Sequence, residues 1–398
     1  METRGRSARF SDYFGLERNV VAVAAAMFLL GFGENLWKGF LPKYLQALGA
    51  PVLAIGLFGT VRDFLDGAYQ YPGGWIADRY GRRRALLFFV GLASIGYVIY
   101  ALAPSWPFVL AGLVFGMAWT SMASPTLFAV VGDSLPRERR AIGFTVQAVL
   151  KRLPIVVAPT LGGLAIAAYG VLGGIRLGLA VTVALALVTL AVVARVRIRV
   201  LREPVPTNIR GVWRSLPSPL KWLLLSDVFI RTCEGLVDVF LVIYATEVVG
   251  VSAPRYGALI AIQMATAILV YVPASKIADR AGRKPFVIAT FLCFAAFPLA
   301  VVLSRSFLAL AAAFVVGGLR EVGEPARKAM IVDFSRPELR ARSIGLYYLV
   351  RSAAIAPAAF TGGLLWKIDP SIPFLVAGAV GIVGTVLFTA TVEERFAA

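Results

Sequence analysis

Apolar runs alternate with short polar loops along the whole chain, and each run is long enough for a helix to cross ~30 Å of hydrocarbon. Twelve such runs are read, at 19–47, 52–78, 85–104, 106–132, 141–168, 171–194, 220–249, 254–279, 285–304, 306–332, 341–367 and 371–391; they are called spans 1 to 12 below. Several exceed the ~20 residues that a perpendicular crossing needs, which allows tilt or an extension beyond the bilayer. The pattern predicts an all-α membrane protein. The first run is too long for a cleavable signal peptide and no small-residue cleavage site follows it, so none is expected.

Composition supports this reading. The chain is 59% hydrophobic with a mean hydropathy of +0.79, against ~45–50% apolar residues in soluble domains. A soluble fold of 398 residues has too little interior to hide that much apolar surface.

The net charge of +18 invites a nucleic-acid partner, but its distribution argues against one. Arg and Lys cluster in every second loop, at 79–84, 137–140, 195–214, 276–284 and 336–342, while the intervening loops carry few. That alternation follows the positive-inside rule. It predicts a multi-pass protein of the cytoplasmic membrane, with both termini and the 195–219 connection in the cytoplasm.

The two cysteines, Cys233 and Cys293, lie inside spans 7 and 9, at no metal-ligand or redox spacing. Histidine is absent, so any proton coupling falls to Asp and Glu. No nucleotide-binding loop, His-Cys cluster or hydrolase triad is present in the sequence. Neither an enzyme nor an ATP-driven pump is expected, and no cofactor or resident metal.

One phrase occurs twice, 201 positions apart. The first copy is Gly74-Trp75-Ile76-Ala77-Asp78-Arg79-Tyr80-Gly81-Arg82-Arg83, and the second is Ser275-Lys276-Ile277-Ala278-Asp279-Arg280-Ala281-Gly282-Arg283-Lys284. Both follow a proline, Pro72 or Pro273. The halves echo each other elsewhere: Glu34 and Glu234, Tyr44 and Tyr244, Pro125 and Pro325, Asp133 and Asp333, Arg152 and Arg351, Gly162-Gly163 and Gly362-Gly363. A period of about 200 residues is a whole six-helix bundle rather than a solenoid unit.

The doubled G-x-x-x-D-R-x-G-R-[RK] phrase resembles the loop signature between the second and third helices of the major facilitator superfamily of secondary transporters. The resemblance covers the entire chain. It implies two pseudo-symmetric six-helix bundles, residues 1–194 and 220–398, joined by a cytoplasmic linker at 195–219. It also implies alternating access by rocking of the halves around a midplane site, with a monomer as the family default. Asp78 of the motif is then expected to contact the start of span 11 near Arg340 and Arg342, where a helix N-terminus adds partial positive charge. Asp279 mirrors it at the start of span 5 near Arg139. Gly74, Arg79, Gly81, Arg82 and Arg83, with Arg280, Gly282 and Arg283, complete the gating motif; Arg82 and Arg83 read equally well as topology anchors.

Spans 3, 6, 9 and 12 are read as carrying no Asp, Glu, Lys or Arg at mid-depth and as lipid-facing, as their counterparts in the family are. Intramembrane charges fall on spans 1, 2, 5, 7, 10 and 11. A charge at mid-depth costs at least ~2.5–3.5 kcal/mol and needs a partner or a wet cavity. Glu34 and Glu234 are the leading proton-coupling candidates; the alternative is a structural ion pair, through Lys38 for Glu34 and through Arg231, with Asp238 beside it, for Glu234. Asp63 and Asp66 come with Arg62, spaced to pair with Asp66 at i,i+4. Glu321 and Glu324 on span 10 are read as substrate or proton residues, with Pro325 as a kink and Arg327 and Lys328 as gating or snorkelling charges. Arg152 and Arg351 suit an anionic substrate, or else neutralise acids of their own halves.

Ala158-Pro159-Thr160-Leu161-Gly162-Gly163 resembles part of the G-P-x-x-G-G element on helix 5 of the drug:proton antiporters, with Ala158 in place of the first Gly. The helix 4 Arg of those proteins has no counterpart among Leu110–Met117. Close helix packing is the alternative role for the element. Trp37, Tyr69, Tyr71, Trp119, Tyr244, Tyr347 and Tyr348 are read as cavity-lining or packing aromatics.

The expectation is a secondary transporter whose partners are a small-molecule substrate, protons and the lipid bilayer. Proton-coupled export of an organic or amphipathic compound heads the readings. Transport of an organic or phosphorylated anion, or of a divalent metal ion, stands as the alternative, and a non-transporting sensor on the same fold as the minor one.

Overall fold

A computed structural model describes residues 18–124, 126–127, 140–195, 213–214, 216–335 and 340–393, without the side chains of 18–20, 78, 140–150, 272, 275–276, 279–281 and 340–342. Among the described residues the protein is helical, with no strand. Span 1 is α1 (Arg18–Trp37), a 3-10 turn (Lys38–Phe40) and α2 (Leu41–Ala47). Span 2 is α3 (Val52–Tyr80), span 3 is α4 (Arg82–Leu102), and span 4 begins as α5 (Trp106–Met117) followed by a π turn (Ala118–Met122). Spans 5 and 6 together form α6 (Arg140–Val193), which passes from one to the other at Gly170, where φ is 74°. That left-handed backbone is open to glycine at no steric cost.

Span 7 is α7 (Ser218–Val237), a 3-10 turn (Asp238–Phe240), α8 (Leu241–Ile243) and a π turn (Tyr244–Val248). Spans 8 and 9 are α9 (Ala253–Ala281) and α10 (Lys284–Leu303). Span 10 is broken into α11 (Phe307–Leu319) and α12 (Glu324–Asp333). Span 11 is α13 (Arg340–Ile355) and α14 (Ala358–Trp366), and span 12 is α15 (Ile372–Thr391).

Seven of the described helices are long and apolar enough to cross a membrane. The helices of spans 2, 4, 7 and 10 are not among them. In spans 2 and 7 the cause is interior charge, which lowers hydropathy along helices of spanning length, whereas spans 4 and 10 are described as shorter helical pieces. The break in span 10 lies at Arg320–Gly323, just ahead of Pro325 rather than at it. Pro325 instead sits in the first turn of α12, where a missing N–H costs nothing.

The chain forms two compact units, one of Met1–Tyr44 with Leu65–Val205, the other of Leu45–Phe64 with Pro206–Ala398. In the first unit α1 packs along α6, and α4 lies against α5 and α6. In the second, α7 packs against α14 and α15, and α10 against α11 and α15. The repeat persists at atomic detail within each unit. Spans 1 and 7 both break into a 3-10 turn, at 38–40 and 238–240. Tyr44 donates its hydroxyl to the Tyr100 carbonyl at 2.7 Å, and Tyr244 donates to the Val302 carbonyl at 3.4 Å. Both tyrosines are fully buried, so Tyr244 is a packing residue rather than a cavity-lining one. Tyr44→Phe is expected to cost ~1 kcal/mol, the net worth of one buried hydrogen bond, read as a lowered unfolding midpoint in detergent.

Candidate functional site

Glu34 stands one turn before the 3-10 break of span 1 and is 7% exposed. The Tyr97 hydroxyl, from α4, donates to its Oε1 at 2.5 Å, and the Thr120 hydroxyl, from the π turn of span 4, lies 3.4 Å from the same oxygen. The next residue of that turn, Ser121, donates to Asp66 Oδ1 at 2.7 Å. One π turn therefore serves two carboxylates on two neighbouring spans. Such single-turn π segments are frequent at functional sites. Among the described residues no Arg or Lys pairs with Glu34 or Asp66; Lys38 is exposed and does not reach Glu34. Arg62 also differs from the i,i+4 expectation. It pairs with its neighbour Asp63 at 3.0 Å and with Asp238 at 2.8 Å, leaving Asp66 to Ser121.

The second unit is built from the opposite chemistry. Asp227, on α7, is fully buried and accepts from Arg327 at 2.8 Å, from the Tyr347 hydroxyl at 3.0 Å and from Arg351 at 3.4 Å. Arg327 also grips Glu324 through two nitrogens, at 2.6 and 2.8 Å. Arg231 joins Glu324 at 3.1 Å to Glu234 at 2.9 Å, and Arg320 reaches Glu234 from the break in span 10 at 3.2 Å. The Arg231 and Arg320 guanidiniums both lie against the Phe294 ring, at 4.9 and 4.8 Å, and Arg320 lies 4.7 Å from the Phe297 ring. Each cation–π contact adds attraction in a dry setting.

These pairings separate the candidates. Glu234 and Glu324 take the ion-pair role, between two arginines each. Arg351 neutralises an acid of its own unit and stacks on Tyr348 at 4.7 Å. Arg327 is 1% exposed, so it is neither a gate charge at a helix end nor a snorkelling one. Arg152 and Glu321 are half-buried, each with an interaction of its own. Trp37 and Trp119 are buried, with the Trp37 indole donating to Thr182 at 3.0 Å. Tyr69 donates to the Val114 carbonyl at 3.0 Å, while Tyr71 is exposed.

In the repeated motif, Gly81 and Gly282 both take positive φ, 87° and 100°, which explains a glycine at the turn into spans 3 and 9. Gly74 is half-buried. Arg79 lies over the Trp75 and Tyr80 rings. Arg82 is buried and Arg83 exposed, so only Arg83 has the setting of a topology anchor. Arg283 pairs with Asp333. The side chains of Asp78, Asp279, Arg280, Arg340 and Arg342, and residues Pro125, Asp133 and Arg139, lie outside the described residues, and with them the expected motif contacts.

Sequence reasoning passed over Asp227, Tyr97, Thr120 and Ser121. Asp227, Arg231 and Glu234 fall at i, i+4 and i+7, one face of a helix, and that spacing was the available signal. Tyr97 was hidden on span 3. That helix is indeed apolar outward, with Ile95, Val98 and Leu102 exposed. Its inner stripe nevertheless carries the hydroxyl that holds Glu34.

The family model of the Major Facilitator Superfamily matches residues 23–232 and again 223–397. The chain belongs to that superfamily. It is therefore a secondary transporter of a transport family and not of an enzyme family. An uncharacterized MFS-type transporter, MJ1317, of Methanocaldococcus jannaschii is 24% identical over 391 residues, 94% of each chain. The multidrug resistance protein MdtG of Escherichia coli is 25% identical over 289 residues, 69% of this chain and 70% of MdtG. Among solved structures, a POT family transporter in complex with 5-aminolevulinic acid matches with a TM-score of 0.79 at 14% identity, covering 95% of this chain and 97% of that one. The human organic anion transporter MFSD10 matches with a TM-score of 0.68 at 17% identity, covering 93% and 98%. At these identities the solved structures speak for the fold of the superfamily alone.

Proposed function

We propose that the protein is a proton-coupled exporter of small organic or amphipathic compounds, acting by alternating access in the cytoplasmic membrane with Glu34 as the proton carrier. The observation that carries this is the setting of Glu34. A carboxylate in contact with guanidinium stays ionised, whereas one held by hydroxyls alone accepts a hydrogen bond when charged and still tolerates a proton. Glu234 and Glu324 each contact two guanidiniums, whereas Glu34 is held by the Tyr97 and Thr120 hydroxyls. A carrier must alternate between the two protonation states as the protein alternates between its two conformations. The likeness to MdtG, a multidrug resistance protein, supports export of organic compounds.

The two halves, 1–194 and 220–398, are the bodies that move in this reading, with both termini cytoplasmic and the protein acting as a monomer. An anion reading draws less support, since Arg351 is paired with Asp227. A divalent-metal reading is weakened in the same way by the arginines on Glu234 and Glu324.

The test is uptake of ethidium into everted vesicles energised with an inward-acid pH gradient. Glu34→Gln is expected to reduce gradient-driven uptake to that of vesicles lacking the protein, while folded protein remains in the membrane. Wild-type rates in Glu34→Gln would sink the assignment of the carrier, and a wild-type rate indifferent to collapse of the gradient would sink proton coupling.

A further inference from the structure

Glu34 and three positions around it recur at Glu234 at a spacing of 200 residues, with different chemistry at all three neighbours. Position 34/234 is Glu in both units. Position 97/297 is Tyr97 in the first, donating to Glu34, and Phe297 in the second, whose ring has no hydroxyl and instead carries the Arg320 guanidinium at 4.7 Å. Position 120/320 is Thr120, 3.4 Å from Glu34, and Arg320, 3.2 Å from Glu234. Position 31/231 is Gly31, and Arg231 at 2.9 Å from Glu234. The same three helices therefore bring the same carboxylate to the same three neighbours in each unit. One unit surrounds it with two hydroxyls and a glycine, and the other with two arginines and an unsubstituted ring.

Resting on the reading of Glu34 as the carrier, we infer that Tyr97 and Thr120 are positioning residues that keep this carboxylate exchangeable. Their repeat partners Phe297 and Arg320 then mark the silenced copy of the same site, so of the two repeat-related carboxylates only Glu34 exchanges a proton. Packing alone does not account for the difference. A Tyr-for-Phe exchange in a fully buried setting leaves an orphan hydroxyl unless a partner is present, and here the partner is Glu34. A buried guanidinium likewise needs its carboxylate. Each side chain is matched to the charge state of the acid it faces.

The inference is tested without a substrate, on purified full-length protein in liposomes, by infrared difference spectroscopy during a pH titration. The readout is the C=O stretch of a protonated carboxylic acid, and the Glu34 component is defined as the intensity that Glu34→Gln removes. Thr120→Arg, which copies the second unit into the first, is expected to abolish that component, and Glu234→Gln to leave it whole. Tyr97→Phe keeps the test open should Thr120→Arg fail to fold: it is expected to retain the component and move its frequency, because the hydrogen bond to the carboxyl is gone. An unchanged Glu34 component in both variants, or a comparable component removed by Glu234→Gln, overturns the inference while leaving the carrier assignment standing. No component removed by Glu34→Gln, together with wild-type transport in that variant, overturns the carrier assignment itself.

Discussion

Arg327→Met is expected to destabilise the protein more than any other single charge removal, by about 3–5 kcal/mol. The argument turns on burial. Arg327 is 1% exposed and Asp227 is fully buried, so neither charge regains water when its partner is lost. Arg327 also supplies two of the contacts to Glu324, and its removal leaves two acids short of a cation at once. Methionine matches its length and apolar stem but neutralises nothing. The Arg62–Asp238 pair makes the contrast. Its side chains are 26% and 46% exposed, and Arg62→Gln, which also frees the 17% exposed Asp63, is expected to cost less than Arg327→Met because every partner keeps some access to water. Thermal unfolding in detergent, followed by loss of the monodisperse peak, measures both. The double change Arg327→Met with Asp227→Leu is expected to recover part of the loss, since it removes one orphaned charge; Glu324 is left with Arg231 alone of its two arginines and Arg351 loses its carboxylate, so recovery is incomplete. Equal midpoints for Arg327→Met and Arg62→Gln would show that the cluster is wet, contrary to its burial.

The positions of the helices were legible in the sequence because the bilayer imposes a single rule on every span: about twenty apolar residues between polar ends. The repeat was legible for a related reason, since glycines, prolines and motif charges keep their spacing across both halves. What decided the roles of the charges was invisible to that reading. Depth along a span follows from counting residues, and it marked Glu34 and Glu234 alike. Pairing depends on which residue of a neighbouring helix arrives at the same level, and spans adjacent in space are far apart in sequence: Tyr97 is 63 positions from Glu34, and Tyr347 is 120 from Asp227. Asp227 lies only a few turns from the start of α7 and was passed over, although it is fully buried and paired with Arg327 and Arg351. The clue that was present and unread is the repeat itself. Comparing position 97 with 297, and 120 with 320, already shows the hydroxyls of one half replaced by a ring and a guanidinium in the other.

Gly162→Ala and Gly362→Ala are each expected to destabilise the fold, because these two glycines are where one helix crosses the backbone of another. A methyl group at Gly162 would stand 1.7 Å from the Leu36 carbonyl oxygen, and one at Gly362 would stand 2.1 Å from the Leu236 carbonyl oxygen. Both neighbours are backbone atoms, so no rotamer change relieves the clash and α6 or α14 must move bodily away from its partner. Overpacking of that kind costs typically ~1–3 kcal/mol, occasionally more, and here it would also loosen the contact that sets α1 beside α6. Gly91→Ala and Gly345→Ala are the controls. Both sit in helices, at α4 and α13, with nothing within 4 Å of the added methyl, and a gain of ~0.5–1 kcal/mol from helix propensity is expected instead. The comparison also decides what the Gly162-Gly163 element does. If the crossing explains it, unfolding midpoint and transport fall together in Gly162→Ala, and Gly362→Ala, which lies outside the antiporter-like segment, behaves the same way. A Gly162→Ala protein as stable as the wild type but unable to transport would remove the packing explanation and leave a role in the conformational cycle.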